Sequence, residues 1–357
     1  MKRLALILAL TSILVMVAGC STEQVETADT RTGPSKTYTM EQFMKTVAVG
    51  GSSFNHDETK LLASSNETGV FNVYEMDLST GKRTAVTEGE DTTFGVAYMP
   101  HDDRIFFTRD QGGNENNHLF LRDLDGTVHD LTEGDETKEQ FAGFHPDLKS
   151  FFTQNNQRDP RFFDLFQWDV ETLEKTMVYQ NEDGFDPFDI TPDGRWITLT
   201  KTNTSNDSDI LVADLENGGA PFLISEHTGQ ASFRPQTVSP DSRYLYYSTN
   251  VTGEFMALKR YDFAAGTHED VFATDWDVAF AYFSLTGKYQ VIGTNEDGYT
   301  KVRITKEGKE VALEGLPAGT VSRIAFSHSE KLMKLTVSGD TMPGNMFLFN
   351  LNTGDFR

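Results

Sequence analysis

The chain has 357 residues, a formal net charge of −23, one cysteine, and a composition that is 38% hydrophobic and 11% aromatic with 27 Phe. So acidic a body repels nucleic acid and anionic lipid headgroups, and a single cysteine excludes an internal disulfide. The length exceeds a usual single domain but suits one large closed ring, and no helical heptads run through it.

The N-terminus reads as a targeting segment. Lys2 and Arg3 are followed by an apolar stretch over residues 4–17, of signal-peptide length and too short for a membrane span. Val17-Ala18-Gly19-Cys20 is similar to a bacterial lipobox, so residues 1–19 are expected to be a lipoprotein signal peptide and Cys20 the lipidation site. Its removal takes two cations and no acid, which moves the net charge to −25. Several acyl chains, at about 0.8 kcal/mol per buried CH₂, anchor a protein almost permanently. Ser21, rather than Asp, after the cysteine points to the outer membrane, facing the periplasm. Residues 20–37 are polar and read as a flexible tether. Residues 40–45 (Met-Glu-Gln-Phe-Met-Lys) read as a short helix.

The rest of the chain, residues 38–357, is organised by a recurring phrase. Its fullest copies are Thr191-Pro192-Asp193-Gly194-Arg195 and Ser239-Pro240-Asp241-Ser242-Arg243, with looser copies ending at Lys60, Arg104, Lys149, Lys288 and Lys331. The steps between the basic residues are 44, 45, 46, 48, 45 and 43 residues. A period in the forties built from strand-type segments predicts propeller blades of four strands. The fold expected is therefore all-β, a seven-bladed β-propeller. In the fifth repeat, strands are expected over residues 231–238, 244–248, 255–262 and 268–273, with Pro, Gly, Asp, Asn and Ser setting the turns between them. Asp77, Asp123, Asp169, Asp214 and Asp262 close the third strands, 17 to 20 residues after the basic marker, where Asx-type capping of a turn is expected. Thr305 and Asn350 stand at the equivalent positions of the last two repeats.

Chemistry-bearing motifs are sparse. The sequence holds no Gly-x-Ser-x-Gly nucleophile elbow, no His-Glu-x-x-His helix and no phosphate-binding glycine loop, so neither a metal nor a cofactor is expected. His56, His101, His145 and His328 fall in or beside the repeat turns, which favours a turn role. The polar run over residues 203–209 lacks the Gly and distal Glu of a calcium loop and reads as an exposed loop. The segment that departs from the repeat is Arg158-Asp159-Pro160-Arg161-Phe162-Phe163-Asp164, between the second and third strands of blade three. Arg158, Arg161, Phe162 and Phe163 form a candidate substrate or interface loop, able to grip a carboxylate and an apolar side chain. The competing reading pairs both arginines with local acids and starts the next strand at Phe162.

Several blade-specific phrases together carry a resemblance. They are Phe71-Asn72-Val73-Tyr74-Glu75-Met76-Asp77, the Arg158 to Asp164 segment, Asp186-Pro187-Phe188-Asp189-Ile190, Leu258-Lys259-Arg260-Tyr261-Asp262 and Thr294-Asn295-Glu296-Asp297-Gly298. In this order they resemble the N-terminal propeller of bacterial serine peptidases of the prolyl oligopeptidase family, the dipeptidyl aminopeptidases and acylaminoacyl peptidases. The resemblance implies a propeller that covers an α/β-hydrolase domain, admits oligopeptides and excludes folded proteins. In that family the hydrolase, with its Ser-Asp-His triad, follows the propeller, so no catalytic residue is assigned here. The sequence ends at Arg357, just past the third strand of blade seven, so that blade is expected to be incomplete and the chain to be a truncated or partial product. The expected partners are an oligopeptide, through the missing hydrolase domain, and the membrane, through Cys20; nucleic acid is not expected. The rival expectation is a free-standing TolB-like propeller, a lipoprotein scaffold of the cell envelope. A sugar-active or lactonase propeller is a third, which the scattered histidines do not favour.

Overall fold

The computed structural model describes residues 37–340 and 342–357. Residues 1–19 and Cys20, the expected signal peptide and lipidation site, lie outside the described residues. A helix forms at Met40–Met44, within the segment where a short helix was expected. Thr39 caps it: the Thr39 hydroxyl accepts from the Gln42 amide and the Gln42 side chain accepts from the Thr39 amide, the reciprocal capping box.

From Val47 on, 27 strands form seven antiparallel sheets, six of four strands and a last one of three. Each sheet is a simple meander, and the blades follow one another in chain order. In blade five the strands are Phe233–Val238, Tyr244–Thr249, Ala257–Asp262 and Thr267–Phe272, within two residues of the expected bounds at every end. First strands of blades one and two, four and five, and five and six touch each other, whereas fourth strands touch chiefly their own third strand, so each blade runs from the axis outward.

This position sets the composition of each strand. Second strands are covered on both faces by neighbouring blades and read as continuous apolar runs, such as Ile105-Phe106-Phe107, rather than alternating ones. Tyr244–Thr249 is buried at all six positions. Fourth strands lie at the rim and are mostly exposed; Arg83–Ala85 and Val128–Asp130 are exposed throughout. The apolar seams between blades use the phenylalanines. Between blades two and three, Phe106, Phe151 and Trp168 form one cluster, with the Phe151 and Trp168 rings stacked at 5.6 Å. Truncating a ring so buried costs about 3–5 kcal/mol.

The meander also sorts the loops onto two faces. Connections between first and second strands, and between third and fourth, share one face, the turn face. Hairpins between second and third strands share the other with the blade-to-blade crossovers.

On the turn face the repeat phrases bond from blade to blade. His56 donates to Asp103 (2.8 Å), His101 to the Leu148 carbonyl (3.0 Å) and His145 to the Pro192 carbonyl (2.7 Å). The Asp193 amide donates to the Ser242 hydroxyl (3.0 Å), and Thr286 donates twice to Glu330 (2.9 and 2.8 Å). Ser329 then donates twice to Glu58 (2.6 and 2.7 Å), joining blade seven to blade one. The turn role of these histidines is thus visible for three of the four.

Four of the five aspartates that end third strands cap turns as expected, whereas the Asp123 carboxylate accepts from the His129 ring instead. Asp77 accepts from the amides of Ser79 and Thr80, Asp169 from Glu171 and Thr172, and Asp262 from Ala264 and Ala265. Asn350 does the same with Asn352 and Thr353. In two blades the basic marker lies across the ladder from this group: Arg195 pairs with Asp214 (2.7 Å) and Arg243 with Asp262 (2.9 Å).

Blade seven consists of Thr320–Phe326, Leu332–Gly339 and Met342–Asn350. Residues 355–357 turn back along the last of these. Leu348 and Arg357 exchange backbone hydrogen bonds at 2.8 and 3.0 Å, and Phe349 bridges Phe356, so a fourth position is begun at the turn-face end of the third strand.

Candidate functional site

The Arg158 segment is a tight hairpin on the crossover face. Its strands, Ser150–Asp159 and Phe162–Asp169, leave only Pro160 and Arg161 at the tip. The register pairs Asn155 with Asp164 and Asp159 with Phe162, with a bulge between. That bulge brings Arg158 to Asp164. Two guanidinium nitrogens meet the two carboxylate oxygens at 2.8 and 2.9 Å, and Nη2 also donates to the Asn181 carbonyl at 2.6 Å. Asp164 is fully buried and also accepts from the Asn181 amide at 2.7 Å. Arg158 therefore stitches the hairpin to the crossover into blade four.

Arg161 pairs with Asp159 through two bonds, at 3.0 and 2.7 Å, while its side chain stays 73% exposed. This pairing, through the Arg161 side chain and amide, depresses the Asp159 carboxyl well below its ordinary range. Arg161 also lies over the Phe162 ring, 4.9 Å from its centroid. Phe162 begins the third strand and packs on Gly184, where a Cβ would come within 2.9 Å of the ring and the backbone φ is +72°. Phe163 is half-buried in the same strand. The two arginines thus take separate acids, and only Arg161 presents its charge to solvent beside an aromatic ring.

A buried acid lies behind this hairpin and was missed in the sequence. Glu139, 1% exposed on the first strand of blade three (Glu139–Phe144), accepts from Asn155 at 2.9 Å. Its other oxygen has no partner among the described residues, and burial pushes its carboxyl up. On the turn face, a recess of about 190 Å³ includes Phe144, Phe152, Asp189 and Pro240 in its wall. Burial raises Asp189 to about 6, against bonds from the Ile190 amide (2.9 Å) and the Val238 amide (3.4 Å).

A second recess on the crossover face, of about 340 Å³, forms where the first strands of blades seven, one and two begin. Gly50, Gly51 and Ser52 line one side, Phe71 and Phe94 another, and Arg323 projects into it. The two rings lie 5.0 Å apart, and Phe94 is 42% exposed. Every first strand carries a register irregularity, and in blade seven it falls between Ser322 and Ala325. There Arg323 takes a left-handed backbone, φ 51°, so the bulge re-aims its side chain. Below it Lys334, 3% exposed, donates to the Gly51 carbonyl (2.9 Å) and to the Arg323 carbonyl (3.4 Å). Burial and then Arg323 lower the Lys334 ammonium to about 8. No local motif marks Arg323; a single arginine in an apolar strand carries no sequence signal. Among the described residues, no group of three or more His, Cys, Asp or Glu is arranged to hold a metal ion.

Relatives place this architecture. No family model matches the chain. A curated protein, dipeptidyl aminopeptidase BIII of Pseudoxanthomonas mexicana, is 25% identical over 206 residues, which are 56% of this chain and 29% of that protein. Among solved structures, one of two prolyl endopeptidases matches with a TM-score of 0.64 at 14% identity, over 88% of this chain and 49% of the other. A puromycin-hydrolyzing peptidase of Mycobacterium tuberculosis matches with a TM-score of 0.64 at 12% identity, over 87% and 52%. An oligogalacturonate lyase in complex with manganese matches with a TM-score of 0.62 at 17% identity, over 85% and 90%. The chain thus spans about half the length of the peptidase structures it matches, and at these identities the structural likeness is one of fold. The resemblance to the propeller of prolyl oligopeptidase-family peptidases, expected from the blade phrases, holds in both sequence and architecture.

Proposed function

We propose that this chain is the substrate-gating propeller of a lipid-anchored serine peptidase that cleaves oligopeptides in the periplasm. The observation that carries the reading is the match to the propeller-bearing half of peptidases, joined to a sequence relationship with a dipeptidyl aminopeptidase. Strand direction supports it too. The first strand of blade one starts at the crossover face, and a completed fourth strand of blade seven would run back to that face. An α/β-hydrolase domain continuing the chain would therefore meet the face that carries Arg161, Phe162 and the Arg323 recess.

The chemistry belongs to that hydrolase domain: acyl transfer to a serine, with a histidine as base and an oxyanion hole for the tetrahedral intermediate. The propeller selects by size, because a rigid ring of seven blades admits an extended peptide and excludes a folded chain. Anchoring at Cys20 holds the enzyme at the outer membrane, where short peptides reach it by diffusion. Its acidity favours cationic over anionic peptides at long range.

The test compares two versions of the protein on chromogenic aminoacyl and acylaminoacyl peptides: the 357 residues alone, and the reading frame extended past Arg357. Activity only in the longer version is expected. Activity in neither, with a folded short chain, would overturn the proposal in favour of a scaffold propeller.

A further inference from the structure

The recess at the start of blades seven, one and two has the composition of a ligand site. Its arginine is uncommitted: the Arg323 guanidinium makes no hydrogen bond or ion pair among the described residues and is exposed. The two arginines of the blade-three hairpin, by contrast, are neutralised, Arg158 by Asp164 and Arg161 by Asp159. No acid lines the recess, in a chain with 54 acidic residues. A second cation, Lys334, lies directly beneath and lacks a carboxylate partner among the described residues, bonding only to carbonyl oxygens.

The backbone is fitted to this arrangement. Gly50 lets the guanidinium lie against the first strand of blade one: a Cβ there would come 3.0 Å from the Arg323 Nη1. Lys334 ties that strand, through Gly51, to the left-handed Arg323 backbone. Such a conformation is costly for a residue with a Cβ and persists where its surroundings fix it. Lys334 is thus a positioning residue for Arg323. Beside the guanidinium, Phe71 and Phe94 offer an apolar wall, with Phe94 open to solvent.

We infer that Arg323, Phe71 and Phe94 form a subsite for a peptide bearing a free C-terminal carboxylate next to an apolar side chain. A planar guanidinium holds a carboxylate through two parallel N–H···O bonds, and an adjoining aromatic wall takes the last side chain. A recess of about 340 Å³ accommodates one or two residues, not a longer segment. The subsite thereby anchors the downstream end of short peptides and sets their length. It rests on the reading of this chain as a peptide-handling propeller.

The experiment measures binding to the whole chain by calorimetry, with no catalysis involved. The probes are N-acetyl-Ala-Ala-Ala-Phe with a free carboxylate, the same peptide as its C-terminal amide, and N-acetyl-Ala-Ala-Asp-Phe amide, whose only carboxylate is a side chain. The free acid is expected to bind at least about tenfold more tightly than either amide. Arg323→Asn should abolish the difference; asparagine tolerates the left-handed backbone, so the bulge survives while the guanidinium is lost. Phe94→Ala should weaken acid and amides alike. Equal binding of acid and amides, no binding of any probe, preference for the aspartyl amide, or unchanged discrimination in Arg323→Asn would each overturn the inference. Peptidase activity of the extended reading frame decides the proposed function separately, so either can fail alone.

Discussion

At the scale of single residues, the same side-chain type has opposite roles according to burial. Arg158 and Arg161 stand three positions apart, yet Arg158 compensates a fully buried carboxylate and Arg161 a surface one. Removing Arg158 leaves Asp164 buried with an uncompensated charge, the costly way to break an ion pair. Arg158→Ala is therefore expected to lower the melting temperature by roughly 5 °C or more, and Arg161→Ala by no more than about 1 °C. A thermal melt of the two variants checks this; equal losses would assign the hairpin's stability to something other than Asp164. The sequence offered both readings of this loop. Both arginines bond to local acids and Phe162 does begin a strand, while Arg161 and Phe162 remain available to a partner at the surface.

At the scale of elements, the repeated ion pair between the basic marker and the turn aspartate fastens the second strand to the third. Bonds from Arg195, with those from Asn217 and the Glu216 amide, bring Asp214 down to about 2 from an ordinary 3.8. A carboxyl depressed in the folded state contributes stability that is fully present above the unfolded value and is lost as pH falls through the folded one. Wild-type protein should thus lose this contribution between about pH 4 and pH 2, and Asp214→Asn should flatten that part of the profile. Urea unfolding at a series of pH values reads it out; an unchanged acid limb in the variant would contradict the assignment. Strand positions were legible because turn residues punctuate the chain at fixed intervals. The hairpin bulges were not, since a bulge depends on how two strands slip against each other.

For the whole molecule, closure of the ring is the decisive event. Among the described residues, blade one is built from the first strands of the chain and blade seven from the last, with no strand exchanged between them. Closure relies on packing and on a few bonds: the two from Ser329 to Glu58 on the turn face, and that from Lys334 to Gly51 nearer the axis. Glu58→Ala removes both turn-face bonds, and a loss of about 1–2 kcal/mol is expected. Hydrogen exchange should then quicken first in blades one and seven. Uniform exchange across all seven blades would mean that the seam opens only with global unfolding.

The sequence by itself determined the number of blades, the strand order within them and the family of folds the chain resembles. Those features follow from local punctuation and apolar runs, which repeat because each blade meets the same neighbours. Only the tertiary structure decided which charges stay free. Pairing across a ladder, across a crossover or across the closing seam joins residues far apart in the chain, such as Lys334 and Gly51. Electrostatic neutralisation depends on those distances, so the conspicuous Arg158 proved to be committed and the inconspicuous Arg323 proved to be open.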